Sequence, residues 1–262
     1  MREPIHQENK IIRVSQVGKE FTIKINALLD WMQDAAYTHS NKLDIFSTDR
    51  LLSRSMSWVL MRKFTRVNRL PALGQRIHLT TYPSGINRYY AFRDFKLTDE
   101  QGDVLVLATT SWAVFDLDKR RIIKTPSDFI EGFSPPGPPA LNFPGPRIEA
   151  LKQPEFEAWI QVRSNDLDLN GHVNNSCLAD WSFSCLPVDL RQNFHLKELD
   201  IAFRGECTLD FQTVHSSAAY MNIKDSVGQK YILHALKNRE QTREFARAVS
   251  LWQKAFQSSN TV

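Results

Sequence analysis

Long apolar runs, a leader segment and cysteine-rich motifs are all missing from this chain of 262 residues. Because no stretch of about 18 apolar residues occurs, we expect no transmembrane helix. The first ten residues, MREPIHQENK, include acidic residues and no apolar segment, so we expect neither a secretory signal peptide nor an acid-poor transit peptide. The three cysteines, Cys177, Cys185 and Cys207, form no CxxC pair. Their scarcity argues against a disulfide framework or a metal site and favours a reducing cytoplasm.

A strong charge of one sign is also missing. The chain has 33 Lys and Arg against 29 Asp and Glu, a net charge of +4. Nucleic-acid binding requires a concentrated basic patch, and the mild balance predicts none. With 42% hydrophobic and 24% charged residues, the composition is that of a globular protein with a packed core.

Proline is concentrated in one segment. Seven of the twelve prolines lie in PSDFIEGFSPPGPPALNFPGP, which runs from Pro126 to Pro146. Proline lacks a backbone donor and fixes φ, so this segment cannot continue a sheet or a helix. The sequence therefore predicts a proline-rich linker over 127–149, between an N-terminal domain (1–126) and a C-terminal domain (150–262).

The two halves show the same order of elements. Each begins with a short strand, continues with a helix (Asn26–Leu43, and about Asn174 to Leu186), and ends in a meander of strand-like runs. In the second half we expect Glu198–Val214 to form one strand. A sheet with one apolar face must cover that face, and the helix can do so. We therefore expect an α+β protein with two antiparallel sheets, each wrapped around a helix and paired into one continuous sheet.

The segment RSNDLDLNGHVNNSCLADW (Arg163–Trp181) holds the candidate catalytic residues. Asp168, Asn170 and His172 recur at every second position. In extended backbone, residues two apart share a face, so these side chains can converge on one cleft.

Two ordinary explanations compete for this segment. Asp and Asn are common before helices because they bond the local backbone, so Asp166 is expected to be structural and Asn174 or Asn175 to cap the helix. The D-x-D-x-N-G opening also matches an EF-hand calcium loop. That loop needs a glutamate at its twelfth position, where this chain has Cys177, so calcium binding is not expected.

The stretch DLDLNGHVNN resembles the D-x-D-x-N-x-H-V-N-N signature of plant and bacterial acyl-acyl carrier protein thioesterases. LDIAFRGEC (Leu199–Cys207) resembles that family's second catalytic strand, which ends in Glu-Cys, and ALLDWMQDAAYTHSNKL resembles its first hotdog helix. The resemblance covers about residues 10–255. It implies a double hotdog fold and hydrolysis of fatty acyl-carrier protein thioesters without a cofactor, a step that ends fatty acid synthesis. Since the transit extension of the plant members is missing, a bacterial-type member is expected.

The resemblance also implies the site. Asp168, Asn170, His172 and Glu206 would carry catalysis, with no metal. His172 would contact the thioester carbonyl or pass a proton to the leaving thiolate, and Asn170 would orient the thioester or the water. Asp168 would hold this polar array in place.

Strand alternation decides between Glu206 and Cys207. In LDIAFRGECTLDFQ the apolar residues are all odd-numbered, and Cys207 shares their parity: Ile201, Phe203, Leu209 and Phe211. The pattern predicts that Cys207 faces the core and Glu206 the other face, unless Gly205 hosts a bulge. We therefore favour Glu206 as the general base for water. A Cys-His-Asn triad with Cys207 as nucleophile is the disfavoured alternative.

Substrate contacts and partners follow from the resemblance alone. It implies that Trp58, Met32 and Ala36 line an acyl tunnel, although core packing is the more ordinary role for each. The expected partner is acyl carrier protein with its phosphopantetheine-linked acyl chain, with no nucleic acid and no membrane; the protein would be a monomer or a homodimer. Three alternatives stay open: an acyl-CoA thioesterase of the same fold, a hotdog hydratase, for which Glu206 is not needed, and a non-catalytic acyl-binding module.

Overall fold

The computed structural model describes residues 4–43, 47–131, 133–222 and 228–255, so the outer ends of the two expected domains, 1–3 and 256–262, lie outside the described residues. The chain divides into two compact units, Met1–Pro144 and Gly145–Val262, at a boundary inside the proline-rich segment. None of the described helices combines the length and the apolar character needed to cross a bilayer.

Unit 1 is an antiparallel sheet with a long helix against one face. Its elements are β1 (His6–Ile11), α1 (Ile25–Lys42), α2 (Thr48–Leu52), β2 (Met56–Val67), β3 (Arg76–Ile86), β4 (Ala91–Asp99), β5 (Val104–Asp116), β6 (Arg121–Ile123) and α3 (Ser127–Ile130). The strand order is β1-β3-β4-β5-β2, with β6 on β5. The apolar residues of α1 recur at helical spacing and are buried, among them Leu28, Met32, Ala35 and Ala36. This is the hotdog arrangement that the sequence predicts.

Unit 2 repeats the arrangement. It contains β7 (Phe156–Gln161), α4 (Asn175–Trp181), α5 (Val188–Asn193), β8 (Phe194–Phe203), β9 (Thr213–Tyr220), β10 (Gln229–Asn238) and β11 (Glu244–Lys254). Its strand order is β8-β11-β10-β9-β7, again antiparallel throughout. The prediction of two α+β hotdog units in one chain is confirmed.

The helix of unit 2 is shorter than predicted, ending at Trp181 rather than near Leu186. Side chains from the sheet take up its last carbonyls. Ser216 Oγ donates to the Trp181 carbonyl at 2.8 Å, and His234 Nδ1 donates to the Ser182 carbonyl at 2.8 Å. Because these carbonyls are satisfied from outside the helix, the chain is free to turn there.

The prediction of one strand over Glu198–Val214 is wrong. β8 ends at Phe203, and a short 3₁₀ turn at Leu209–Phe211 precedes β9. The cause lies at Gly205, where an added Cβ would come within 3.3 Å of the Glu244 carbonyl. The chain thus leaves the ladder at a close backbone approach that glycine accommodates without displacing its neighbours.

The two units share one backbone motif in two copies. Secondary structure runs in the same order over 11–30 and 161–180, from strand through 3₁₀ turn to helix. In unit 1 the motif is tied by a bridge from Thr22 to Ala72, and in unit 2 by a bridge from His172 to Thr208. The repeat therefore extends from the order of elements to the backbone structure of this segment. Each unit can serve as a reference for the other.

Candidate active site

The turn that carries the polar motif is built around Asp168. Its carboxylate Oδ1 accepts the backbone N–H of Asn170 at 2.8 Å and of His172 at 3.2 Å. The Asp168 N–H donates to the His172 carbonyl at 2.7 Å, and the left-handed Gly171 (φ 77°) closes the turn. Asp168 thus fixes the backbone of the two residues that follow it in the motif.

The same turn is joined to the segment after β8. The Val173 N–H donates to the Cys207 carbonyl at 2.7 Å, and His172 forms a bridge with Thr208. These contacts bring His172 Nε2 to 3.7 Å from Glu206 Oε2. Both side chains are about one-third exposed, at 31% and 36%. The pair therefore lies at the surface of unit 2, where a substrate and a water molecule can reach it.

The expectation of extended backbone over 168–172 is wrong, since Asn170 lies in a turn that the left-handed Gly171 closes. The Asn170 side chain is exposed at the tip of the turn and makes no hydrogen bond to a described residue, and its neighbour Leu169 is 90% exposed. Its backbone N–H, by contrast, is held by Asp168. The structure thus brings together His172, Glu206 and the carboxylate that orders their turn, and leaves the Asn170 amide available for a ligand.

Asp166 and Asn174 hold the ends of the motif. Asp166 Oδ2 accepts the Arg163 N–H at 2.7 Å, and the Asp166 carbonyl accepts the Asn174 N–H at 2.8 Å. Asn174 Oδ1 accepts the Ser176 N–H at 3.2 Å and caps α4. These are structural contacts. Across the described ranges, no three His, Cys, Asp or Glu side chains are grouped as metal ligands.

Cys207 is packed in the core beside Glu206. It is 1% exposed, and burial raises the pKa of its thiol to about 12, an effect that the nearby Arg243 only partly opposes. A thiol in such surroundings is almost wholly protonated near neutrality. Strand alternation predicts burial only as far as Phe203, because β8 ends there. Beyond that point the odd-numbered positions no longer share a buried face, since Leu209 is 47% exposed.

Arg243 is a neighbour of the site that sequence reasoning missed. Its guanidinium lies 5.4 Å from the centroid of the Phe211 ring, and its Nε is 3.3 Å from the position of a Cβ on Gly205. The side chain therefore covers the segment that leads to Glu206. No local pattern marks it, because it comes from the turn between β10 and β11 and reaches the site only through strand register.

The three residues expected to line an acyl tunnel lie in unit 1. Met32 and Ala36 are buried on α1, at 0% and 5% exposure. Trp58 is half-buried on β2, and its ring lies 6.1 Å from that of Phe129 in a cluster with Leu51 and Val114. They pack in the unit's core, and the tunnel stays a prediction.

The copy of the motif in unit 1 has other residues at the three candidate positions. Gly18, Glu20 and Thr22 occupy the positions of Asp168, Asn170 and His172 in the repeated backbone. The same turn therefore forms without the histidine and the aspartate. A turn of this backbone shape therefore does not by itself require the side chains of Asn170 and His172.

Comparison with known proteins gives a consistent result over both units. Residues 3–133 match the acyl-ACP thioesterase N-terminal domain family, and residues 149–254 match the C-terminal domain family. Among curated proteins, a dodecanoyl-[acyl-carrier-protein] hydrolase of Cinnamomum camphora is 27% identical over 76% of this chain and 55% of its own length. Oleoyl-acyl carrier protein thioesterase 1 of Arabidopsis thaliana is 25% identical over 95% of this chain and 76% of its own length.

Solved structures share the fold. The 12:0-ACP thioesterase from Umbellularia californica superposes with a TM-score of 0.86 at 23% identity, covering 97% of this chain and 96% of that one. An acyl-ACP thioesterase from Bacteroides thetaiotaomicron gives a TM-score of 0.79 at 19% identity, covering 95% and 98%. At these identities the likeness establishes the fold.

Proposed function

The chain belongs to the acyl-ACP thioesterase family, and from this premise we propose that it hydrolyses fatty acyl-acyl carrier protein thioesters and releases free fatty acid. The observation that carries the proposal is the 3.7 Å approach of His172 to Glu206 on the turn that bears the signature. Release of the acyl chain from its carrier would end fatty acid synthesis.

We assign the chemical step to attack by water. Glu206 accepts a proton from a water molecule as the water oxygen attacks the thioester carbonyl carbon. The tetrahedral intermediate collapses with cleavage of the carbon–sulfur bond, and the leaving thiolate takes a proton from His172. The proton held by Glu206 then passes to His172, which restores both groups. The Asn170 amide orients the substrate at the exposed tip of the turn, while Asp168 holds the backbone of both residues.

Burial argues against a covalent route through Cys207. With a pKa of about 12, roughly one thiol in 10⁵ is a thiolate at pH 7. The side chain is also 1% exposed, so an acyl group has no direct access to its sulfur. Water attack needs neither a thiolate nor access to the core.

The proposed partner is acyl carrier protein with its phosphopantetheine-linked chain, and a monomer or a homodimer is compatible with the two fused units. Three free cysteines suit a reducing compartment, so we assign the activity to the cytoplasm. The test is hydrolysis of a series of acyl chain lengths on carrier protein and on CoA, with Glu206→Gln as the control. Faster turnover on carrier protein supports the proposal. Faster turnover on CoA would make the protein an acyl-CoA thioesterase, and binding without turnover would make it an acyl-binding module.

A further inference from the structure

Glu206 lies in a loop between two strands, residues 204–212, which we call the Glu206 loop. The paired residues of β8 end at Phe203 and those of β9 begin at Thr213, so strand pairing does not hold Glu206 in place. The bridge from His172 to Thr208 fixes the middle of the loop. A catalytic group must be held to within about 0.5 Å of its working position, so the two ends of the loop need support as well.

Arg243 contacts both ends of the Glu206 loop. At the first end, its Nε and Nη2 atoms lie 3.3 and 3.8 Å from the position of a Cβ on Gly205. At the far end, its guanidinium carbon lies 5.4 Å from the centroid of the Phe211 ring, within the range of a cation–π interaction. Phe211 is anchored in turn on the fully buried Phe245, edge to face, with ring centroids 4.8 Å apart. One side chain therefore joins the start of the loop to its end.

The turn that carries Arg243 is itself well ordered by hydrogen bonds. The Arg243 N–H donates to Asn238 Oδ1 at 2.7 Å, and the Asn238 N–H donates to the Arg243 carbonyl at 3.0 Å. Asn238 is 6% exposed, and its Nδ2 donates to Glu240 at 2.8 Å and to Thr242 at 3.1 Å. Because these bonds fix the backbone of the turn, the guanidinium reaches the loop from a fixed point.

Unit 1 has a corresponding loop, 68–75, and a corresponding turn. The N–H groups of 68–69 both donate to one carbonyl of β5, and those of 204–205 both donate to one carbonyl of β11. In the turn of unit 1, the Asp103 N–H donates to Asp99 Oδ1 at 2.9 Å. Arg243 and Asn238 make the same bond in unit 2. The equivalent positions are therefore Arg69 and Gly205 in the loops, and Asp103 and Arg243 in the turns.

The loop of unit 1 is also tied by an arginine, from the opposite side. Arg69 Nη1 donates to Gln75 Oε1 at the far end of the loop, at 3.2 Å. Arg69 Nη2 donates to Asp99 Oδ2 in the turn, also at 3.2 Å. Both units thus connect loop start, loop end and turn through one guanidinium, projected from the loop in unit 1 and from the turn in unit 2. The second arrangement leaves a glycine directly before Glu206.

We propose that Arg243 is a positioning residue that clamps the two ends of the Glu206 loop and thereby holds Glu206 at its distance of 3.7 Å from His172. The kinetic part of this inference rests on the proposed function, whereas the part that concerns loop order does not. The loop contains its own reporter of order, Cys207, which is 1% exposed. Loss of the clamp would both misplace Glu206 and expose this thiol.

The first measurement is the rate at which iodoacetamide labels Cys207 in the full chain at pH 8, followed by peptide mass spectrometry. We expect Arg243→Met, which keeps an apolar stem, to raise this rate by at least about 10-fold through opening of the loop. The charge of Arg243 lowers the pKa of the Cys207 thiol, so its removal alone would slow labelling, and faster labelling reports opening. Arg243→Lys keeps a cation above the ring and should restore most of the protection. Arg69→Met, the matched change in unit 1, should leave the rate unaltered.

The second measurement is single-turnover and steady-state hydrolysis of acyl-carrier protein. Arg243→Met should lower kcat by at least about 10-fold and change KM by less than about two-fold, because a misplaced base slows the chemical step. Arg243→Lys should recover most of kcat. Phe211→Leu should have a similar effect to Arg243→Met, and the double variant should be little worse than either, because both changes remove the same contact.

Unchanged labelling of Cys207 in Arg243→Met would overturn the clamp, and so would a loss of activity expressed mainly as a raised KM, which would make Arg243 a substrate contact. Thermal melts of every variant check folding, and Phe211→Leu carries the test if Arg243→Met does not fold. Absent turnover by the wild-type chain would instead count against the proposed function, and the labelling rates would still decide whether Arg243 orders the loop.

Discussion

His172 Nε2 and Glu206 Oε2 lie 3.7 Å apart, and a backbone bridge between His172 and Thr208 sets that distance. The bridge joins the motif turn to the irregular segment after β8. The separation exceeds a hydrogen bond, and both side chains are about one-third exposed. Several measurable consequences follow for the residues around this pair.

Replacing Glu206 with Gln keeps the shape of the side chain and removes its ability to accept a proton. We expect kcat on acyl-carrier protein to fall by about 100- to 10,000-fold, the usual contribution of a general base. The measurement is single-turnover hydrolysis, with thermal melting to show that the variant is folded. Turnover within a few-fold of wild type would show that Glu206 is not the base.

Replacing Cys207 with Ala should leave hydrolysis largely intact. The change removes a buried sulfur, so a loss of stability of about 1 kcal/mol is expected from the small cavity. Iodoacetamide at pH 7 should leave Cys207 unmodified in the folded protein, because its thiol is buried and its pKa is about 12. A dead Cys207→Ala variant, or an acylated Cys207 found by mass spectrometry, would contradict water attack.

Gly205 has little space for a side chain. An alanine Cβ would lie 3.3 Å from both Arg243 Nε and the Glu244 carbonyl, and we expect the resulting displacement of a few tenths of an ångström to reach Glu206. We expect Gly205→Ala to lower kcat by at least about 10-fold, since small misplacement of a catalytic group is costly. Gly18→Ala in the copy of the motif is the control, because its Cβ would meet nothing within 4 Å. Equal activities of the two variants would refute this account of Gly205.

Stability at alkaline pH should depend on Lys63. Burial lowers the pKa of Lys63 from 10.5 to about 8, so between these pH values the folded protein has lost a proton that the unfolded chain retains. Rising pH therefore favours the folded state. Relative to Lys63→Met, the free energy of unfolding of the wild type should rise by about 3 kcal/mol between pH 7 and 11. Urea titrations at several pH values measure this difference, and a constant difference would show that Lys63 is not buried as a cation.

Stability at acidic pH should depend on His234. Burial lowers the pKa of His234 to about 4, although its hydrogen bond to the Ser182 carbonyl opposes the shift. As the pH falls from 6.5 to 4, the unfolded chain takes up a proton that the folded protein does not, so stability is lost. Against His234→Gln, the wild type should lose about 3 kcal/mol over this interval. Denaturant titrations at matched pH values test this, and a parallel decline of both proteins would contradict it.

The sequence by itself determined the order of elements, the proline-rich boundary between two repeats, and the segment that holds Asp168, Asn170 and His172. It did not determine the turn that this segment forms. These features depend on local physics: helical and strand periodicity, the missing donor of proline, and the bonding of Asp and Asn to nearby backbone. They also placed the chain in its family, because the signature residues are contiguous in the chain.

Only the tertiary structure decided where α4 and β8 end, that Arg243 covers Gly205, and that Lys63 is a buried cation. For the ends of α4 and β8, the deciding groups come from strands distant in the sequence. Ser216 and His234 take the carbonyls after α4, and the Glu244 carbonyl crowds Gly205. Such contacts depend on which strands far apart in the chain lie side by side, and the local pattern of one strand does not specify its distant neighbours.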